Sequence, residues 1–222
     1  CVYKPVRGER PLWDFPDGTL SRREIAAYEV ARLAGFDCVP LTVWREDGPY
    51  GPGMCQVWID TADDSTVVDI VSHRVALDGW LSVLDGEDSG GRSVRLVHED
   101  SARLREIAAL DVVLNNADRK GGHLLLDTDA RLWAIDHGVC FSPDPKLRTV
   151  LWGFAGETIS PDVAARLVAL GERLAEPEGQ LVLAWLDDEE ALALQARITA
   201  LIEDGHYPLP DGRRHLLPWP VL

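Results

Sequence analysis

Three side chains between Leu110 and Phe141 have the types and spacing that phosphate chemistry requires. Asp118 closes the run Leu-Asp-Val-Val-Leu-Asn-Asn-Ala-Asp, His123 follows five residues later, and Asp136 stands thirteen beyond that, in Ala-Ile-Asp-His-Gly. A carboxylate on a loop after an apolar helix can orient an acceptor hydroxyl. A second carboxylate before a glycine at a strand end can hold a divalent cation, and His123 can help it. Phosphoryl transfer also needs a cation on the nucleotide phosphates. Lys4, on an alternating N-terminal segment, can supply it, with Glu24 downstream as its ion-pair partner.

Each residue also has a plainer reading. Asp118 within Asn-Asn-Ala-Asp-Arg fits a helix-ending turn, where Asn and Asp are common. Asp136 fits a turn cap before Gly138, Lys4 an ordinary surface lysine, and His123 a hydrogen-bonded loop histidine. Glu29 competes with Glu24 on another face of the same segment, and His137 reads as a structural neighbour of Asp136. The joint spacing favours the chemical readings. Trp13-Asp14-Phe15-Pro16-Asp17-Gly18 alternates aromatic and acidic residues close to the Lys4 strand, so it is either a substrate contact or a packed loop.

The elements that must position these residues follow from periodicity. Residues 1 to 5 alternate as a strand ended by Pro5; Ser21 caps a helix with Ile25, Tyr28, Ala31 and Leu33 on one face, ending at Gly35. Val39 to Arg45 and Met54 to Ile59 are strands around the turn residues 46 to 53. From Asp60 to Asp100 the chain shows short amphipathic pieces and an acidic, glycine-rich stretch, Asp85 to Arg92, expected to be a mobile loop. Ser101 to Asn115 is a helix, and Leu124 to Leu126 and Leu132 to Ile135 are strands joined by a turn at Asp127 to Arg131. After Phe141 the pattern turns helical, with Ser160-Pro161 opening one helix and Asp187 to Ile202 forming another. The class is α+β.

Composition bounds the possibilities. A chain of 222 residues with 46% hydrophobic content can bury a core. A net charge of −15 with no basic patch excludes free association with nucleic acid or anionic lipid. Cys1, Cys38, Cys55 and Cys140 form no CxxC pair and read as reduced, buried thiols, while most of the eight tryptophans read as core. No apolar run reaches the roughly 20 residues of a membrane helix, so stable membrane insertion is not expected. A cytoplasmic location follows. The chain opens on Cys-Val-Tyr-Lys-Pro, as if within a strand, and is expected to be a fragment.

Tyr3-Lys4-Pro5, Arg23-Glu24-Ile25-Ala26-Ala27-Tyr28 with Val39-Pro40, Gln56-Val57-Trp58, and Leu110 to Arg119 with Ala134 to Gly138 together carry a resemblance. They are similar to the phosphatidylinositol 3-/4-kinase-like superfamily. In motif style they resemble type II phosphatidylinositol 4-kinases and an uncharacterised actinobacterial family related to them, over about residues 3 to 141. The resemblance implies a bilobal protein-kinase-like fold, with residues 1–59 a partial N-lobe and 60–222 a mostly helical C-lobe. It implies ATP with Mg²⁺ or Mn²⁺, Lys4 on the phosphates with Glu24 as partner, and Gln56, Val57 and Trp58 as the hinge that meets adenine. Asp118 would be the catalytic carboxylate and Asp136 the metal ligand. His123 stands where such kinases place a metal-binding Asn, and the strands and phosphate-covering loop expected before Lys4 are absent from the sequence.

The leading expectation is an ATP-dependent phosphotransferase acting on a protein or small-molecule hydroxyl. A phosphoinositide acceptor is possible but disfavoured by the charge. The alternative is a non-catalytic nucleotide-binding or interaction module, and a weaker third reading is a metal-dependent hydrolase with Asp118, His123, Asp136 and His137 as ligands.

Overall fold

A computed structural model describes residues 1–10, 12, 15, 19–62, 66–212 and 216–222. They form an α+β structure with five α-helices and small antiparallel sheets. The first sheet has the order β1-β3-β2, from Val2–Pro5, Gly53–Gln56 and Thr42–Arg45; helix α1 (Leu20–Ala34) lies between β1 and β2 in the chain. A second sheet, β4-β6-β5, is built from Val68–Ser72, Ser93–Glu99 and Trp80–Glu87. Helix α2 (Ala102–Leu114), a hairpin of β7 (Leu124–Leu126) and β8 (Leu132–Ala134), and helices α3 (Pro161–Ala175), α4 (Pro177–Leu183) and α5 (Asp188–Asp204) complete the chain.

One continuous core joins these parts. Ala26, Ala27, Val30 and Leu33 of α1 lie in the same buried cluster as Ile107 and Leu110 of α2, Leu167 and Leu170 of α3, and Leu194 of α5. Alanines on the buried face let α1 approach its neighbours closely, and charged side chains then fix it along its length. Arg22 donates to the Ala184 and Trp185 carbonyls after α4 (2.8 and 3.2 Å), buried Arg23 pairs with Glu190 of α5, and Arg32 pairs with Glu178 of α4 (2.8 Å). The middle sheet is seated through His98 of β6. Its ring packs against Phe154, with centroids 4.5 Å apart, and its Nε2 lies where Gly153 leaves room.

The helices after residue 100 start as their capping residues require. The Ser101 side chain accepts from Leu104 N, Ser160 accepts from Val163 N ahead of Pro161, and Asp187 forms a reciprocal capping box with Glu190. Helix α1 departs from expectation. Its cap position is Thr19, and the carboxylate of Glu9 accepts from both Leu20 N and Ser21 N (3.2 and 2.7 Å). A side chain eleven residues upstream thus replaces the local cap, and the Ser21 hydroxyl donates instead to the Lys4 carbonyl (3.1 Å).

Other expectations are corrected. Asp85–Arg92 is not one loop: β5 runs through Glu87, and the turn beyond is closed by Asp88, which accepts from Gly90 N and Arg92 N and pairs with the Arg92 side chain. The strands around residues 39–59 are shorter than read, Thr42–Arg45 and Gly53–Gln56. Pro40 has no N–H for a ladder. Between Phe141 and Ile159 the described chain is largely irregular, with one short turn of helix at Trp152–Phe154. Only Cys38 and Cys140 of the four free thiols are buried, Cys55 is half-buried and Cys1 exposed. No described tryptophan is fully buried, and Trp58 and Trp219 are mostly exposed. Of the aromatic and acidic segment, Phe15 is buried, beneath Arg23 and Lys146; Trp13, Asp14, Pro16, Asp17 and Gly18 lie outside the described residues. Among the described residues no helix is long and apolar enough to cross a membrane.

A Cβ added at Gly153 would stand 2.4 Å from His98 Nε2 and 2.8 Å from Leu81 Cβ. Gly153→Ala is therefore expected to lower stability by about 1–3 kcal/mol, read as a shifted midpoint in urea unfolding. An unchanged midpoint would show that the middle sheet does not depend on this contact.

Candidate functional site

Strand pairing aims Lys4 at the core face. Lys4 lies opposite Met54, which lies opposite Trp44, and directly paired residues share a face. Met54 is completely buried, so this face is the one turned toward α1. There Lys4 Nζ meets Glu24 Oε1 at 2.5 Å and Asp136 Oδ1 at 2.9 Å. Glu24 is buried and uses its second oxygen to accept from His137 N at 2.9 Å, so one carboxylate spans the lysine and the backbone beside Asp136. Glu29 is occupied elsewhere, by Arg32.

Asp136 follows β8 in the left-handed region, φ = 61°, a conformation Asp tolerates better than most side chains. The residue leaves the strand direction there and turns its carboxylate to Lys4. Its other oxygen, Oδ2, lies 3.5 Å from His123 Nε2. Lys4, Glu24, Asp136 and His123 are thus brought together.

The loop that carries Asp118 is built on a buried charge. Arg119 is fully buried and forks onto Asp111 of α2, Nε to Oδ2 at 2.8 Å and Nη2 to Oδ1 at 2.9 Å. It also donates to the Ile135 carbonyl (2.8 Å) and the His123 carbonyl (3.4 Å), and its Nη2 lies 2.8 Å from His137 Nε2. Asn116 completes the frame: its amide donates to Asp111 Oδ1 and its oxygen accepts from Asp118 N, both at 2.9 Å. The Asp118 side chain is a third exposed and pairs with Lys120 at 3.0 Å. Lys120 is the residue that sequence reasoning missed. The signal was present, a lysine two positions after the candidate base.

The hinge candidates lie apart from this cluster. Gln56 is buried and donates to Thr42 Oγ1 at 2.9 Å, Val57 N donates to the Leu41 carbonyl, and the side chains of Val57 and Trp58 are exposed. Beyond the β-ladder position of Gln56 opposite Val2, no described contact ties these three to the Lys4 group.

Burial alone would lower the lysine's pKa, but Glu24 and Asp136 outweigh it and hold Lys4 above its ordinary value. Burial would raise the Asp136 carboxyl, yet Lys4 draws it down to about 2. Burial pushes Glu24 up, and Lys4 opposes that push only in part. His123 is lowered by burial, so at neutral pH it is an uncharged imidazole able to act as a ligand. His137, fully buried and beside Arg119, lies well below the ordinary histidine value and is committed to that arginine. It is therefore unavailable to the four-ligand hydrolase reading. Among the described residues no three His, Cys, Asp or Glu side chains converge to hold a metal ion. Asp136 and His123 do converge, which fits a cation that arrives with phosphate oxygens and water to complete its shell.

Two outcomes follow. Asp111→Asn leaves the Arg119 charge buried without its counter-ion, and is expected to cost about 3–5 kcal/mol of stability in chemical unfolding; a loss below about 1 kcal/mol would contradict the role given to the pair. His98, His123 and His137 all have folded pKa values lowered first by burial, so the unfolded chain takes up protons more readily. Stability is then complete above the unfolded histidine value of about 6.5 and declines as pH falls below it. The melting temperature should be flat from pH 8 to 7 and drop toward pH 5; a rise over that interval would reverse the sign.

No family model matches the chain. Protein Rv2133c of Mycobacterium tuberculosis is 42% identical to it over 230 residues, covering 100% of this chain and 82% of that protein. Identity of that level across the whole length makes this chain a member of the family of Protein Rv2133c.

Proposed function

We propose that the protein is an ATP-dependent phosphotransferase of kinase-like, two-lobed architecture, with the N-terminal sheet and α1 over the helical remainder. The observation that carries this reading is Lys4 Nζ held between Glu24 and Asp136, groups that lie 20 and 132 residues away in sequence. A strand lysine positioned by a helix glutamate, next to a carboxylate after a strand end, is an arrangement suited to nucleotide phosphates and their cation.

In this reading Lys4 exchanges Asp136 for phosphate oxygens when nucleotide enters, while Glu24 keeps its Nζ in place. Asp136 is then released, and with His123 it would hold Mg²⁺ or Mn²⁺ beside the phosphates, where the cation would supply charge neutralisation. Asp118 accepts the proton of the acceptor hydroxyl as its oxygen attacks the γ-phosphorus and the bond to the β-phosphate oxygen breaks. Lys120, on the same carboxylate, turns toward the transferred phosphoryl group and stabilises its charge. The net charge of −15 favours a protein or small-molecule hydroxyl over a lipid headgroup in an anionic bilayer.

A second reading, nucleotide binding without turnover, is favoured by the metal set, in which Asp136 is joined by an imidazole rather than a second oxygen donor. One experiment separates the two. In the full-length protein with ATP and Mn²⁺ or Mg²⁺, Asp118→Asn is expected to lower the rate of γ-phosphate transfer or release by about 10²–10⁴-fold. Asp136→Asn should abolish the γ-phosphate transfer supported by divalent cation, with both variants melting close to the parent. ATP and Mn²⁺ raising the melting temperature with no γ-phosphate consumed would establish the binding module instead. Parent-like turnover in either variant would remove the assigned roles.

A further inference from the structure

Residues 216–222 run across the loop that carries Asp118 and tie it to the segment after Phe141. Gly121 N donates to Val221 O at 2.8 Å, while Thr149 N and Trp152 Nε1 both donate to Leu216 O, at 3.2 and 2.8 Å. The loop and the 148–150 segment are themselves laced together, Arg119 N donating to Arg148 O at 3.0 Å and Val150 N to Arg119 O at 3.1 Å. Leu217 and Val221 pack against the core, and Pro218 after Leu217 is buried. The segment is thus held near both of its ends.

The bond to Gly121 falls where the loop has few ties of its own. Up to Arg119 the loop is fixed through Asp111, by the Asn116 amide and the Arg119 guanidinium, and His123 is fixed by Ile135 N, which donates to its carbonyl at 3.0 Å. Lys120, Gly121 and Gly122 lie between these anchors, and neither glycine has a side chain to pack. Their backbone freedom must be removed by main-chain contact. The fit is close: a Cβ on Gly121 would stand 2.8 Å from Leu222 Cδ2 and 3.2 Å from Val68 Cβ of β4. Gly121 is buried, and among the described residues Val221 O is the acceptor its N–H reaches, so moving the segment away would leave a buried donor unmatched.

Two pairs of the candidate site flank this point. Lys120, one residue before Gly121, meets Asp118 at 3.0 Å, and His123, two residues after it, meets Asp136 at 3.5 Å. A displacement of the Gly121 main chain is therefore passed to both.

We infer that residues 216–221 are a strap that positions the Asp118–Lys120 and His123–Asp136 pairs through the main chain of Gly121, although no side chain of the strap belongs to either pair. Its effect on turnover rests on the phosphotransferase reading; the positioning itself does not. In the full-length protein, Val221→Gly removes the packing at one end of the strap, Trp152→Phe removes a donor to Leu216 O at the other, and Val221→Ile is the conservative counterpart. Hydrogen exchange at Gly121 N and acylation of Lys120 by acetic anhydride read the position without an assay of function. Val221→Gly and Trp152→Phe should each speed exchange at Gly121 about tenfold or more and raise Lys120 acylation, with exchange in the middle of α2 and acylation of Lys4 unchanged. Val221→Ile should match the parent. In the same two variants kcat for γ-phosphate transfer should fall about 10–100-fold with KM for ATP within about twofold of the parent, because Lys4 and Glu24 are fixed elsewhere. The inference is overturned by unchanged exchange at Gly121, by exchange that quickens as much in α2 as at Gly121, or by a loosened Gly121 with parent-like Lys120 acylation or kcat. A parent that transfers no phosphate would remove the phosphotransferase reading, and the exchange and acylation results alone would then decide whether the strap positions the loop.

Discussion

The arrangement of the candidate site depends on one charge removed completely from water. A guanidinium in the interior is tolerated only when a counter-ion and hydrogen-bond acceptors surround it. Arg119 has both, in Asp111 and in the carbonyls of His123 and Ile135. Those partners come from α2, from the turn after the Asp118 loop and from the end of β8. Satisfying one buried charge therefore sets the relative positions of the segments that carry Asp118, His123 and Asp136. Their geometry is a by-product of desolvation, which explains how two short strands and a loop can hold three candidate side chains in register.

A comparable constraint acts on the other half of the site. Glu24 reaches Lys4 only while α1 keeps its rotation and height, and the residues immediately before it, Arg22 and Arg23, are fastened to the end of α4 and the start of α5. Glu190 serves twice, as the partner of Arg23 and as the third residue in the α5 capping box. The helix that aligns the lysine is thereby fastened to the C-terminal helices as well as to the small sheet beside it in sequence. Movement of α5 would be felt at Lys4.

What could be read in the sequence, and what could not, divides by range. Asp187, Ser160 and Ser101 announce their helices because a cap acts over three residues. Helix α1 is read through its apolar face, but its true cap, Glu9, is invisible to a local rule because the carboxylate arrives from across a loop. The β4-β6-β5 sheet was hidden for a related reason. Much of β5 is exposed, so its charged and apolar residues do not sort onto two clear faces. At the site, Lys4, Glu24, Asp136 and His123 are brought into contact as their spacing suggests. Gln56, Val57 and Trp58 are not joined to them, since the Gln56 side chain is satisfied by its strand neighbour Thr42.

In the phosphotransferase reading, the same geometry would constrain the order of events at the site. Lys4 lies on both Glu24 and Asp136, and Asp136 is the group drawn lowest in pKa by that contact. Asp136 is also the more exposed of the two carboxylates, with 47% of its side chain accessible against 1% for Glu24. An ion bond to the exposed partner is weakened by solvent and can be exchanged; one to the buried partner would leave an uncompensated charge if broken. Lys4 is thus a fixed cation with one permanent and one exchangeable partner. A free cation competing for Asp136 must displace the lysine against its attraction, whereas a cation carried by phosphates brings the anion that replaces Asp136 at Lys4. If the protein is the phosphotransferase proposed above, the pairing would disfavour metal alone and favour metal with nucleotide, and the lysine would gate cation binding as well as bind phosphate.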